Sequence, residues 1–204
     1  MVKIATPPPK NKPRPTFYNI SSNSNLFRIY NPLKYGQTCC SFRRFGPTAR
    51  FDHHSHPDMA PAEDKDRAVY YAAPTFSCCI VEVFGDTGQI VCGDYNLAMV
   101  RVKRDLLVLD LCGIGAMRAG TVAAIAKADH TISREWSRYF YIEPIYQAVD
   151  GLRYYNAHND EIAYLLFERT DTALDCVEEL RLDDNTLRRQ LAFIARRTNL
   201  MLSC

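Results

Sequence analysis

The sequence lacks the long apolar runs that mark membrane proteins. No run approaches the roughly 20 apolar residues that a helix needs to span a bilayer. The first residues also contain no apolar stretch of signal-peptide length. We therefore expect a soluble protein of the cytoplasm with no membrane partner.

The sequence has little net charge of either sign. Its 25 lysines and arginines are nearly balanced by 23 aspartates and glutamates, which leaves a formal net charge of +2. Proteins that bind nucleic acid through its phosphates usually carry a strongly basic surface. We expect no direct binding to nucleic acid.

The short motifs of several common enzyme classes are missing. There is no G-x-S-x-G nucleophile elbow, no G-x-G-x-x-G dinucleotide fingerprint and no Walker loop. There is also no H-E-x-x-H motif and no C-x-x-C pair. If a nucleotide binds, the usual glycine-rich phosphate loops do not hold it.

Three histidines, His53, His54 and His56, lie beside Asp52 and Asp58. A metal site is one interpretation of this cluster. Ligands this close in sequence rarely all converge on one ion, and no distant pair of cysteine or histidine ligands with the right spacing completes the set. The sequence therefore favours a polar loop and predicts no metal.

The cysteines do not form a recognisable framework. Several of the eight lie within apolar runs, where cysteines usually act as small buried hydrophobic residues. Disulfide-rich secreted domains are usually shorter and richer in loops. We expect reduced thiols, and no catalytic thiol at Cys78 or Cys79, because no base is identifiable near them.

The first 24 residues differ in composition from the rest of the chain. Prolines at positions 7–9, 13 and 15 favour an extended backbone. We predict a flexible tail over residues 1–24, with Phe17 and Tyr18 available for docking, and one domain over residues 25–204.

The hydrophobic patterns predict an α+β domain. Strands and helices are mixed without the regular alternation of a doubly wound sheet. Residues 76–84 are apolar almost throughout, and the pattern leaves strand and helix open. The predicted strands cover 26–30, 69–73, 99–102, 106–111, 152–155 and 163–168, the predicted helices cover 121–128, 133–146 and 184–197, and residues 34–66 and 113–120 are expected to be loops or turns.

Charged residues at two places in the sequence are candidates for a functional site. Glu82 stands alone in an apolar stretch, where it faces either solvent or a pocket in which it accepts hydrogen bonds from a hydroxylated ligand. Arg43, Arg44 and Arg50 lie in one loop. Their guanidinium groups suit phosphate recognition, although loop arginines are more often solvated or form structural bridges.

The order of several short segments resembles the RES-domain family, the toxins of Xre–RES toxin–antitoxin pairs. The resemblance spans roughly residues 26–170. The segments are FRIY at 27–30, RRFGPTARFDHH at 43–54, DRAVYYAA at 66–73, CIVEVF at 79–84, LDL at 109–111, REWS at 134–137 and DGLRY at 150–154.

The resemblance implies a fold and a set of site residues. The fold would be α+β, with the mixed β-sheet core and flanking helices of ADP-ribosyltransferases. The family's arginine falls on Arg50, its tyrosine on Tyr71 and its glutamate on Glu82. Its serine position is occupied by Asn156, and Tyr155 stands where the family has proline.

The resemblance also implies an activity. NAD+ would be the substrate, with no cofactor, and its nicotinamide–ribose bond would be cleaved by phosphorolysis or hydrolysis. Arg50 would clamp the diphosphate with Arg28 or Arg44 in support, Tyr71 would pack on the nicotinamide, and Glu82 would accept from the ribose hydroxyls. Asn156 would lie near the acceptor or the diphosphate.

The resemblance further implies partners and leaves two alternatives. An Xre-type antitoxin would restrain the protein, which would form a homodimer, and inorganic phosphate could be the acceptor. The replacement at Asn156 leaves open a catalytically impaired module that binds NAD+. A transferase that places ADP-ribose on a macromolecule or nucleotide is the other alternative.

Overall fold

The computed structural model describes residues 3–56 and 60–204. These residues form twelve strands and four α-helices, joined by loops and short 3-10 turns, and none of the helices is long and apolar enough to cross a membrane. The strands are β1 Phe17–Ile20, β2 Asn25–Tyr30, β3 Phe45–Gly46, β4 Ala62–Glu63, β5 Val69–Ala72, β6 Gln89–Val91, β7 Asn96–Val102, β8 Leu106–Asp110, β9 Gly151–Tyr155, β10 Ile162–Phe167, β11 Leu174–Arg181 and β12 Met201–Ser203; the helices are α1 Phe76–Phe84, α2 Ile114–Arg118, α3 His130–Ile142 and α4 Arg188–Thr198.

The main sheet has five strands in the order β1-β8-β9-β10-β5. Strands β8 and β9 run parallel and the other neighbours run antiparallel, so the sheet is mixed. A second sheet has the order β11-β7-β2 and is antiparallel throughout. Together with the helices, these mixed sheets confirm the predicted α+β class.

Side chains of the main sheet enter two different cores. One core joins the two larger sheets and contains Tyr70 of β5 together with Leu26 and Val100. The other joins the main sheet to the helices and contains Val69 and Tyr154, with Tyr71 packed at its border. Because neighbouring residues of a strand point to opposite faces, Tyr71 lies on the helix side and Tyr70 on the side between the sheets.

The apolar segment 76–84 is a helix, which settles the open alternative. Thr75 caps it, because its hydroxyl oxygen accepts the backbone N–H of Cys78 at 3.1 Å. Ile80, Val81 and Phe84 are buried, whereas Glu82 is exposed. Apart from Ser77, whose hydroxyl donates to Glu161, Glu82 is the polar residue of this helix, and it points away from the core.

Part of the segment predicted as a tail belongs to the main sheet. Phe17–Ile20 pairs with β8 as its edge strand, and the Tyr18 ring lies 4.6 Å from the guanidinium carbon of Arg153. Farther towards the N-terminus, the Trp136 indole donates to the carbonyl of Ala5 at 2.8 Å. Since β8 would otherwise expose its backbone groups, this pairing explains why residues 17–20 lie on the domain.

Several predicted helix boundaries differ from the observed ones. Helix α3 begins three residues earlier than predicted, and Asp129 is its N-cap through a bond of 2.8 Å from the Thr131 N–H. Ser133, the first residue of the predicted helix, lies inside α3 and donates to the carbonyl of Ile125. The predicted turn over 113–120 contains the short helix α2, and the predicted helix over 121–128 is a 3-10 turn, Ala123–Lys127.

Two disulfides contradict the prediction of reduced thiols. Cys39 is bonded to Cys176 and Cys92 to Cys204. The partners are 137 and 112 residues apart in sequence, so their spacing carries no signal that sequence analysis could use. The free cysteines of the described residues are Cys40, Cys78, Cys79 and Cys112.

Candidate functional site

A cavity of about 350 Å³ opens on the helix side of the main sheet. Pockets that take small ligands have volumes of roughly 300 to 1000 Å³, so this cavity is large enough to hold part of such a ligand. Its wall includes residues from β2, β5, β9, α1, α3 and the arginine-containing loop, among them Arg28, Arg50, Tyr71, Glu82, Asp86, His130, Tyr154 and His158.

Glu82 supplies the carboxylate of the cavity. It lies in the last turn of α1, and its exposed surface faces the cavity rather than open solvent. Desolvation inside this concave wall raises the pKa of Glu82 to about 7, although the charge of Arg50 opposes the shift. The negative charge of Asp86, four residues farther along, adds to it. The empty cavity therefore holds a carboxyl group that titrates near neutrality.

Arg50 supplies the cation. Its guanidinium Nη1 donates a hydrogen bond to the carbonyl of Ala128, just before α3. This bond fixes the position of the Arg50 side chain. His130 lines the same wall. Desolvation lowers the pKa of His130, and the nearby charge of Arg50 lowers it further. Arg50 therefore faces a neutral imidazole and the Glu82 carboxyl group.

Asp52 holds the loop that carries Arg50. Its Oδ2 accepts the backbone N–H groups of Thr48 at 2.6 Å and Ala49 at 2.9 Å. Its Oδ1 lies 2.8 Å from a guanidinium nitrogen of Arg43, and both groups are buried. Burial opposes ionisation, but Arg43 and the two backbone donors outweigh it and lower the pKa of Asp52. The ionised carboxylate fixes the loop in one conformation.

Tyr71 joins this loop to the main sheet. Its hydroxyl donates to Asp52 Oδ1 at 2.9 Å and accepts the Phe51 N–H at 3.2 Å. Burial and the charge of Asp52 raise the pKa of Tyr71 well above its ordinary value. The phenol is therefore neutral, and its hydroxyl group is hydrogen-bonded within the protein. The ring is the part of Tyr71 that a ligand can contact.

Arg28 borders the cavity, but its guanidinium group is bound elsewhere. Nη1 donates to the carbonyl of Ser41 at 2.6 Å, and Nη2 donates to Gln37 Oε1 at 2.6 Å. The group also stacks 4.4 Å above the centre of the Tyr70 ring, on the opposite face of β5 from Tyr71. The predicted support of Arg50 by Arg28 is not available in this arrangement.

Arg44 does not line the cavity. Its Nη1 donates to the carbonyl of Lys65 at 2.7 Å, at an exposed position. The backbone of β5 pairs with its neighbour Arg43, and adjacent side chains of an extended segment point in opposite directions. Arg43 therefore turns inward to Asp52, and Arg44 turns outward. Arg44 therefore lies outside the cavity, and its support of a diphosphate clamp stays a prediction.

Asn156 is fully buried, and its amide is fully engaged. Nδ2 donates to Asn159 Oδ1 at 2.7 Å and to the Cys78 sulfur at 3.2 Å. Oδ1 accepts the backbone N–H groups of His158 at 3.0 Å and Asn159 at 2.9 Å. Asn156 does not line the cavity, contrary to its predicted position near the acceptor or diphosphate. Its amide instead shapes the turn that brings Ala157 and His158 to the cavity wall.

Sequence reasoning missed several residues of the wall. His158 packs against Gly85, where a Cβ atom would lie 2.7 Å from the imidazole. The His158 Nε2 is 3.7 Å from Asp86 Oδ1. Sequence analysis could have found Tyr154, because it follows the Asp150-Gly151 motif on a predicted strand. His130 and His158 carried none, because only the fold brings them to Glu82.

The histidine cluster is largely internal, which differs from the polar loop that the sequence favoured. His53 and His54 are buried, and only His56 is exposed. The His53 Nε2 lies 3.1 Å from Glu168 Oε2, and desolvation lowers the pKa of this histidine. Asp58 lies outside the described residues. The His54 ring occupies the space that a side chain at Gly46 would need.

Comparisons with known proteins show which family and which solved structure the chain resembles. The model of the RES domain family matches residues 25–190. A chain in the crystal structure of the M. tuberculosis MbcT-MbcA toxin-antitoxin complex has a similar structure, with a TM-score of 0.55 and 15% sequence identity over 85% of this chain and 91% of that one. At this identity the likeness shows the fold, in agreement with the fold class that the sequence predicted. No curated protein sequence matches the chain.

Proposed function

The chain belongs to the RES-domain family, and from that premise we propose that it binds NAD+ in the cavity and cleaves the nicotinamide–ribose bond. The observation that carries the proposal is the meeting of Arg50, Tyr71 and Glu82 in one cavity wall. These are three of the four positions that the family resemblance selected, and they lie on a loop, a strand and a helix. The fourth, Asn156, does not line the cavity.

The chemistry of the bond suits a carboxylate at this point. Nicotinamide leaves NAD+ as a neutral molecule when it takes the electron pair of the bond to ribose, and the ribose becomes an oxocarbenium-like cation, as in glycoside hydrolysis. Ionised Glu82 would stabilise that cation and accept hydrogen bonds from the ribose hydroxyls. Because the cation lowers the pKa of a neighbouring carboxyl group, the charge on Glu82 would be favoured as the bond breaks.

Arg50 would bind the diphosphate. A guanidinium group matches phosphate oxygens in charge and geometry. Arg28 and Arg44 donate to other acceptors, so Arg50 would carry this contact without them. The neutral ring of Tyr71 would pack against the nicotinamide, while its hydroxyl stays on Asp52.

The acceptor completes the reaction. An oxygen of water or inorganic phosphate would bond to the anomeric carbon as nicotinamide departs. With water the products are ADP-ribose, nicotinamide and one proton, and with phosphate the product is ADP-ribose carrying a phosphate at the anomeric carbon. The sequence prediction left this choice open, and the proposal covers both acceptors.

The family also suggests the biological setting. We propose that the protein is a toxin, that an Xre-type antitoxin restrains it by covering this cavity, and that it forms a homodimer without contacting nucleic acid. The M. tuberculosis structure, whose chain shares the fold, is a toxin-antitoxin complex. A cytoplasmic location remains a prediction, and the two disulfides argue against it because reducing compartments rarely permit such bonds.

An NAD+-binding module without turnover is the second candidate. The observation that favours it is Asn156, which replaces the family's serine and turns its amide into the protein interior. Such a module would retain Arg50 and Tyr71 for binding but lack a hydroxyl group at that position.

One assay separates these functions. The purified protein is incubated with NAD+, with and without inorganic phosphate, and nicotinamide and ribosyl products are followed by liquid chromatography with mass detection. Release of nicotinamide is the expected result, and its dependence on phosphate identifies the acceptor. Binding of NAD+ without any nicotinamide release would contradict the proposed cleavage and support the binding module.

A further inference from the structure

Tyr154 is a buried tyrosine that faces the cavity. It lies on β9, exposes 4% of its surface and lines the same wall as Glu82 and Arg50. Its ring packs against Phe51, with 4.8 Å between ring centres. Burial raises the pKa of Tyr154 well above its ordinary value, and the charge of Glu82 adds to the shift. The hydroxyl therefore keeps its proton and can donate it in a hydrogen bond.

Three other tyrosines use their hydroxyl groups inside the protein. Tyr70 donates to the carbonyl of Cys39 at 2.9 Å, and Tyr146 donates to the carbonyl of Ala119 at 3.0 Å. Tyr71 donates to Asp52. Within the described part of the chain, no hydrogen bond of the Tyr154 hydroxyl is found.

An unused hydroxyl on a buried tyrosine calls for an explanation. A tyrosine whose ring is buried normally satisfies its O–H group. The Tyr154 hydroxyl is not among the buried polar atoms that lack a partner, so it opens into the cavity rather than into the core. Because the Tyr154 side chain forms part of the cavity wall, a molecule in the cavity can supply the missing acceptor. The arrangement is that of a binding site whose ligand completes the hydrogen bonding.

The neighbouring carboxyl group indicates what kind of ligand fits. Ionised Glu82 can only accept hydrogen bonds, whereas the protonated phenol of Tyr154 can donate one. A donor and an acceptor that line one cavity, and that influence each other electrostatically, can pair with two hydroxyl groups of one ligand. One hydroxyl donates to the carboxylate, and the other accepts from the phenol. A ribose ring offers such a pair beside its anomeric carbon.

We propose that Tyr154 and Glu82 together recognise the two hydroxyl groups of the nicotinamide-bearing ribose. This inference rests on the proposed function and identifies the part of the substrate that the cavity recognises. Tyr154 donates to one hydroxyl and holds the ribose so that Glu82 lies beside the carbon at which the bond breaks. A ligand that lacks the hydroxyl read by Tyr154 leaves the phenol without a partner.

The test combines one substitution with altered ligands. Tyr154→Phe removes the hydroxyl and keeps the ring against Phe51. Dissociation constants are measured by calorimetry for NAD+ and for two NAD+ analogues, each lacking one hydroxyl of the nicotinamide-bearing ribose. Tyr146→Phe is the matched control, because it removes a buried tyrosine hydroxyl that does not line the cavity.

The expected result is a coupling between the substitution and one analogue. Tyr154→Phe weakens NAD+ binding about tenfold, the energy of one well-formed hydrogen bond. It leaves the affinity for one of the two analogues unchanged, because that analogue has already lost the same contact. Tyr146→Phe binds all three ligands as the wild type does. Where turnover occurs, the ratio of kcat/KM between wild type and Tyr154→Phe follows the same pattern.

Two results would overturn the inference. Equal weakening of all three ligands by Tyr154→Phe would mean that the hydroxyl acts on the fold or on another part of the ligand. No effect on any ligand would mean that it makes no contact. If Tyr154→Phe fails to fold, the wild type alone decides, since it must bind both analogues more weakly than NAD+. Where the protein turns over NAD+, kcat/KM replaces the dissociation constant, and failure of the proposed cleavage is recognised separately by the nicotinamide assay.

Discussion

The hydroxyl of Tyr71 donates a hydrogen bond of 2.9 Å to Oδ1 of Asp52. This bond joins a strand of the main sheet to the loop that carries Arg50. The same carboxylate binds two backbone N–H groups of the loop and the buried guanidinium of Arg43. The two cavity residues Tyr71 and Arg50 are thus positioned through one aspartate that does not line the cavity itself.

Asp52→Asn is expected to destabilise the protein by roughly 3 to 5 kcal/mol, the cost of leaving a buried charge without its partner. The neutral amide would leave the charge of Arg43 uncompensated. If the NH2 group of the new side chain faced the backbone donors of Thr48 and Ala49, it could not accept hydrogen bonds from them. Denaturant unfolding of wild type and variant measures the difference.

The matched control for this prediction is Asp175→Asn. Asp175 forms an exposed ion pair with Lys103, with 3.4 Å between carboxylate and ammonium. Such surface pairs contribute about 0 to 1 kcal/mol. Equal destabilisation by the two substitutions would contradict the role of Asp52 as the anchor of the loop.

Two arginines of the same loop are expected to differ in their effect on NAD+. Arg50→Ala should raise KM for NAD+ at least tenfold, because a charge-assisted hydrogen bond to phosphate is worth about 1.5 to 3 kcal/mol. Arg44→Ala should leave KM unchanged, because Arg44 donates to Lys65 outside the cavity. Steady-state kinetics compares the two. An Arg44 effect as large as that of Arg50 would show that the diphosphate lies elsewhere.

The titration of Glu82 is expected to set the pH dependence of cleavage. Its pKa of about 7 means that the carboxylate form becomes scarce in acid. Because the reaction needs the ionised form, kcat/KM should fall about tenfold for each pH unit below 7 and level off above it. A profile of kcat/KM from pH 5 to 9 checks this. A flat profile through neutrality would rule out Glu82 as the titrating group.

The same titration has a consequence for folding. In the unfolded chain the carboxyl group ionises near its ordinary value of 4.5, and in the folded protein only near 7. Between these values the unfolded state loses its proton first, so the folded state loses stability as the pH rises. Glu82→Gln does not titrate. Its stability relative to the wild type should therefore increase between pH 4.5 and 7 and then remain constant.

The two disulfides predict the number of reactive thiols. Alkylation of the denatured, unreduced protein should modify four cysteines, and alkylation after reduction should modify all eight. Mass spectrometry of the intact chain counts the labels. The same count on protein taken from its native compartment, blocked at lysis, decides its redox environment. Eight labels without reduction would mean that the chain works as a reduced protein and would favour the cytoplasm.

The sequence predicted the strands of the core well, because apolar runs such as that of β5 or β10 are buried in any fold that contains them. The strand β11 was missed, since six of its eight residues, positions 175–179 and 181, are exposed and show no alternation. Strand β1 was missed because its hydrogen-bonding partner, β8, is almost 90 residues away. Neither strand has a local signal strong enough to stand out.

The site was predictable to the extent that motifs specify it. Arg50, Tyr71 and Glu82, which the resemblance selected, line one cavity. Arg44 and Asn156 do not, because a motif gives positions along the chain and not the direction of a side chain. Only the fold shows that Arg44 turns outward and that the Asn156 amide binds its own turn.

The central claim is that a carboxylate in this cavity drives the cleavage of NAD+, and the release of nicotinamide by two charge-matched variants tests it most directly. Glu82→Gln removes the cavity carboxylate, and Glu178→Gln removes one from an exposed position on β11. We expect Glu82→Gln to release nicotinamide at least a hundredfold more slowly than the wild type, which is the scale on which electrostatic stabilisation acts. We expect Glu178→Gln to release it at the wild-type rate. Equal rates for all three proteins would contradict the central claim.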